Sequence, residues 1–154
     1  MSAKLNLQRG TVLRPLPTRA LVQRWVDAAY GPDASAAQVT VRLVDEDEGR
    51  QLNRDFRGCD RPTNVLSFPF EAPSGWPLRR RVLGDVVVCV PVVQREAEAQ
   101  GKALEAHYAH LVVHGVLHLL GHDHEQEDEA LRMEALETQI ITGLGYPNPY
   151  RSQD

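Results

Sequence analysis

All six histidines of the chain fall between positions 107 and 124. Four of them, His107, His110, His114 and His118, recur at spacings of three and four, so a helix over this stretch carries them on one face. His114 and His118 stand one turn apart, close enough for two imidazoles to converge on one ion. Gly121 offers a turn that can bring His124 back as a third ligand. Three histidines leave one position of a tetrahedral ion open, and water at such a position loses its proton near neutral pH and becomes a nucleophile. A purely structural site is closed by a fourth protein ligand. The expectation is therefore one catalytic Zn²⁺ held by His114, His118 and His124, although imidazoles also suit nickel, copper or iron. His107, His110 and His122 are read as ordinary polar residues that find hydrogen-bond partners.

The spacing HxxxHxxGxxH is also that of the zinc ligands of metzincin proteases, in which a glutamate directly follows the first histidine and serves as general base. Here that position is Gly115, which removes the usual proton acceptor of peptide hydrolysis. A metzincin-like metalloprotease is thus the rival enzymatic reading.

Beyond the metal motif, the run His114-Gly115-Val116-Leu117-His118-Leu119-Leu120-Gly121-His122-Asp123-His124 resembles the signature of the bacterial YbeY family. Leu52-Asn53, Phe56-Arg57-Gly58 and the segment Asp60-Arg61-Pro62-Thr63-Asn64-Val65-Leu66-Ser67-Phe68-Pro69 resemble a second hallmark, and Leu83-Gly84-Asp85-Val86-Val87-Val88 a third. Together they cover most of positions 52–124 in the family's order. The resemblance implies a zinc-dependent, single-strand-specific endoribonuclease with three histidine ligands and a functionally important arginine at Arg57. It also implies a role in 3′-end processing of small-subunit ribosomal RNA, in ribosome quality control and in late small-subunit assembly, with the small subunit and its assembly proteins as partners. A non-catalytic assembly factor that uses its ion only for shape is the alternative from another class.

Arg57 suits this chemistry, because a planar guanidinium beside a glycine-containing loop can clamp a phosphate near the metal. An arginine so placed also covers apolar surface with its stem. Arg79, Arg80 and Arg81 extend a local basic path, or are simply solvated. Asp85 and Asp123 are candidates for orienting a ligand imidazole, and Asp123 also suits a helix cap.

The elements that must position these groups are legible from periodicity. Thr18 caps a first helix whose Leu21, Val22, Trp25, Val26 and Ala29 share a face and which Gly31 ends. Val39, Val41 and Leu43 alternate with polar residues as in an outer strand. Asp45 precedes an acidic first turn, giving a second helix to about Phe56 with Gly58 after it. A short strand over 64–68 ends at Pro69, and 72–81 reads as a surface loop. The run 86–90 is an interior strand, followed by a helix with Pro91 in its first turn that continues to Gln100. Residues 103–120 form a helix apolar nearly all round, hence buried in the core, and a last helix spans about 125–144. The resulting fold is α+β, or an α/β layer, with a small mixed sheet of three or four strands and about five helices in one domain over 1–154.

The chain of 154 residues is 42% hydrophobic and 25% charged, the balance of a folded globular domain. Its start lacks an apolar signal core and no stretch is long enough to span a bilayer, so a cytoplasmic location without membrane partners is expected. Cys59 and Cys89 are far apart and are read as reduced. A net charge of -4 means that any attraction for RNA must come from a local patch.

Overall fold

The computed structural model describes residues 2–71, 75, 81–122 and 126–150. Among them, four strands and five α-helices form a mixed sheet with helices on both faces. This is the expected α+β architecture. The strands are β1 (Lys4–Gly10), β2 (Ala37–Val44), β3 (Val65–Pro69) and β4 (Arg81–Cys89), in the order β1-β2-β4-β3. β1 and β4 run parallel to β2, and β3 is antiparallel to β4.

One expectation is overturned by this order. β2 is not an outer strand, because β1 pairs with it along its length, from Lys4 opposite Gln38 to Gly10 opposite Val44. β1 carries only Leu5 and Leu7 in an otherwise polar run, a pattern too short to announce a strand by itself. Its hydrogen bonds to β2 and the burial of Leu5 supply what its local sequence lacks. Arg81 is a second correction, since it begins β4 and is not part of the loop; the rest of 72–80, apart from Gly75, lies outside the described residues.

α1 (Arg19–Tyr30) begins as expected, with the Thr18 hydroxyl accepting from the Leu21 amide at 3.2 Å, and buries Val22, Trp25, Val26 and Ala29. It packs with α4 (Leu104–Leu119) against one sheet face, where Val39, Val41, Leu43, Val86 and Val88 join the main core. α2 (Glu46–Arg57) covers the other face over a smaller cluster of Val44, Leu66, Val87 and Cys89. Cys89 is buried in this cluster, and burial pushes its thiol above the usual range. α3 (Val90–Gln100) follows β4 directly, with its proline in the first turn, and α5 (Glu127–Gly143) packs against α4.

Two close approaches fix the sheet relative to α4. Gly84 sits at a bulge in β4 with φ +133°, and a Cβ there would lie 2.1 Å from the Phe68 carbonyl oxygen, so only glycine lets β3 lie against β4 at this point. On α4, a Cβ added to Gly115 would meet Val86 Cγ1 at 2.6 Å. Beside it, the Ser67 hydroxyl donates to the Gly115 carbonyl at 3.0 Å. The helix therefore lies directly on β3 and β4, and His114 and His118 emerge beside β3.

Candidate functional site

The end of α2, the edge strand β3 and the middle of α4 enclose a cleft of about 590 Å³. Phe56 and Arg57 enter from α2, residues 63–68 form one wall, and His114 and His118 enter from α4. Arg57 and two of the three predicted metal ligands thus share one cavity. His124, with Asp123, lies outside the described residues. The chain leading to it turns as expected: α4 ends at Leu119, Gly121 adopts φ +98°, and the His122 amide donates back to the Leu117 carbonyl at 3.1 Å.

The His114 and His118 rings lie 4.6 Å apart between centroids, inclined at 70°. His114 is held from behind. Its Nδ1 is hydrogen-bonded to one carboxylate oxygen of Glu137 on α5, and the other oxygen takes hydrogen bonds from His110 Nε2 at 2.8 Å and from the Tyr150 hydroxyl. The Glu137 side chain is completely buried. Burial works against its ionisation, but the bonds from His110, His114 and Tyr150 outweigh that cost and hold the carboxyl down at about 2. A carboxylate only accepts, so the shared proton sits on Nδ1 of His114 and the bond fixes the orientation of the ring. Tyr150 is exposed as a residue, but desolvation of its hydroxyl and the bond to this carboxylate push that hydroxyl well above the ordinary phenol range.

The ligand atoms of His110, His114 and Glu137 all lie within 4.8 Å of one another, close enough for this group to hold a metal ion. It shares His114 with the predicted set. Both Glu137 oxygens are already engaged by hydrogen bonds, and neither Glu137 nor His110 lines the cleft. The arrangement therefore suits an orienting support behind His114, and imidazoles fixed at a cleft wall fit a borderline-soft divalent ion.

Glu137 is the functional residue that sequence reasoning missed. Its place on the buried side of α5, in register with Met133 and Ile141, was the available signal, because a charged residue is almost never fully buried unless paired. Of the histidines read as ordinary polar residues, His107 Nε2 meets Glu96 Oε1 at 3.0 Å, His110 Nε2 meets Glu137, and His122 is exposed. Burial, only partly offset by Glu96, pushes the His107 imidazole below its usual range. Asp85 is exposed on β4, on the same side as Val87 and so on the sheet face turned away from α4, where it cannot orient an α4 histidine. Arg81 is exposed at the start of β4, and Arg79 and Arg80 lie outside the described residues.

Fold and site together define a small α+β protein with a histidine-lined cleft and an arginine across from it. The family model described as Endoribonuclease YbeY matches residues 7–145, and the chain belongs to that family. The Endoribonuclease YbeY of Alkalilimnicola ehrlichii is 58% identical over 138 residues, spanning 88% of this chain and 83% of that protein. The solution structure of TM1509 from Thermotoga maritima is similar with a TM-score of 0.53 at 25% identity, covering 96% of this chain and 99% of the other.

Proposed function

We propose that this protein is a zinc-dependent, single-strand-specific endoribonuclease that acts in the cytoplasm on the 3′ end of small-subunit ribosomal RNA, in ribosome maturation and quality control. The observation that carries the reading is the meeting of Arg57, His114 and His118 on one cleft, together with membership of an endoribonuclease family. His114, His118 and His124 are the residues that would hold one Zn²⁺. When bound, the ion supplies Lewis acidity, polarising a phosphoryl oxygen or lowering the pKa of water.

The protein's own groups do the rest. Arg57, exposed at the cleft edge, pairs with the scissile phosphate and stabilises charge as it develops on the non-bridging oxygens. Glu137 holds the His114 proton on Nδ1, so the imidazole presents one nitrogen and one orientation. The small ribosomal subunit and its assembly proteins are the expected partners. No described helix is long and apolar enough to cross a membrane.

The protease alternative meets a steric obstacle. Position 115 carries no carboxylate, and a glutamate there would start from a Cβ 2.6 Å from Val86 Cγ1, so it would enter only by displacing Val86.

The test is cleavage of a labelled single-stranded fragment of small-subunit ribosomal RNA, with metal analysis, by wild type, chelator-treated protein and His114→Ala. Loss in both treated samples, with zinc restoring only the wild type, is the expected result. Equal cleavage by all three would reject the reading and favour a non-catalytic assembly factor.

A further inference from the structure

Immediately before Arg57 stands Phe56, which is 67% exposed. Its ring meets that of Phe68 on β3 at 5.0 Å between centroids and 65°, an edge-to-face pair. Both rings line the cleft that holds Arg57, His114 and His118. Phe68 also packs on the small core cluster beneath α2, so the pair is anchored on one side and open on the other. A second recess of about 400 Å³ adjoins the cleft and shares Arg57, Thr63 and Asn64 with it, so Arg57 stands at the junction of two spaces.

We propose that Phe56, braced edge-on by Phe68, is a stacking platform for one unpaired nucleobase next to the phosphate held by Arg57. This rests on the endoribonuclease reading above and adds to it the source of single-strand preference. A base in a duplex is already stacked on both faces and cannot use the platform, whereas an unpaired base gains an aromatic face without sequence-specific hydrogen bonds. The arrangement matches the chemistry of a nucleotide: an aromatic face for the base and, at the next residue of the chain, a guanidinium for its phosphate. An exposed aromatic beside a cation is a poor match for an acidic or purely aliphatic ligand, and the cleft is too small to seat a folded partner.

The experiment compares binding of a labelled, cleavage-resistant 2′-O-methyl phosphorothioate single strand, intact or with abasic positions, to wild type, Phe56→Leu, Phe56→Ala and Phe56→Tyr. Wild type should lose about tenfold in affinity when the occupying base is removed. Phe56→Leu and Phe56→Ala should bind the intact strand about tenfold more weakly and no longer respond to base removal, while Phe56→Tyr behaves as wild type. Leucine keeps apolar area but removes the aromatic face, and thermal unfolding of each variant establishes that it is folded. If Phe56→Leu retains both wild-type affinity and sensitivity to abasic substitution, the platform is rejected while the nuclease reading stands. If wild type binds neither strand and cleaves no single-stranded RNA, the nuclease reading fails and takes the platform with it.

Discussion

Glu137 and His114, 23 residues apart, meet through a hydrogen bond between a completely buried carboxylate and the imidazole Nδ1 at the back of the cleft. The same carboxylate gathers His110 and Tyr150, so α4, α5 and the segment after α5 converge on one negative charge. That carboxylate accepts from Nδ1 and so fixes the tautomer and orientation of the His114 ring.

Replacing Glu137 with Gln keeps the shape but removes the charge and offers an N–H where an acceptor is needed. Zinc affinity, measured by competition with a chromophoric chelator, should fall about 10- to 100-fold. Wild-type affinity in Glu137→Gln, with the fold intact, would rule out the orienting role.

Arg57 should act on phosphate charge and not on the fold, because its side chain is exposed. Arg57→Ala is expected to lower single-turnover cleavage by roughly 10- to 100-fold, the scale of a lost charge-assisted hydrogen bond. The slope of log affinity against log salt for single-stranded RNA should shrink by about 0.7, one phosphate contact. Unchanged cleavage would remove Arg57 from the reaction.

Gly115→Ala places a methyl where Val86 already stands, at 2.6 Å from Cγ1, with Ser67 Oγ at 3.3 Å. Urea unfolding should register a loss of about 1–3 kcal/mol from overpacking. Since the clash is with a side chain, Gly115→Ala combined with Val86→Ala should cost less than the sum of the two single changes, a coupling that independent sites would not give.

His107 makes stability depend on pH. Burial pushes its native pKa below the ordinary 6.5, despite the bond to Glu96. As pH falls through 6.5, the unfolded chain takes up this proton before the native state does, so the stability His107 contributes at neutral pH is lost progressively towards the depressed native value. Chemical denaturation at pH 7.5 and 5.5 should therefore show a smaller acid loss in His107→Gln than in wild type. Equal losses would mean that His107 does not titrate differently on folding.

Local chemistry makes much of this protein readable in its sequence. Thr18 capping α1, the proline in the first turn of α3, the buried valines of β4 and the adjacency of His114 and His118 all follow from interactions within a few residues, where backbone geometry alone sets the neighbours. The family resemblance marked Arg57 because its flanking residues, Leu52-Asn53 to Pro69, carry a motif of their own.

Only the folded chain decided the rest. β1 exists because β2 offers it an edge, and this moves β2 from the outside of the sheet to its interior. Gly115 is glycine because Val86 from a different element occupies its Cβ position, and Glu137 is charged in the core because three donors from two other segments surround it. Arg57 shares a cleft with His114 and His118 because the end of α2 and α4 meet along β3. These partners are distant in sequence, and no periodicity encodes them: the sequence determines which faces are apolar and which side chains can react, while packing of those faces determines which of them meet.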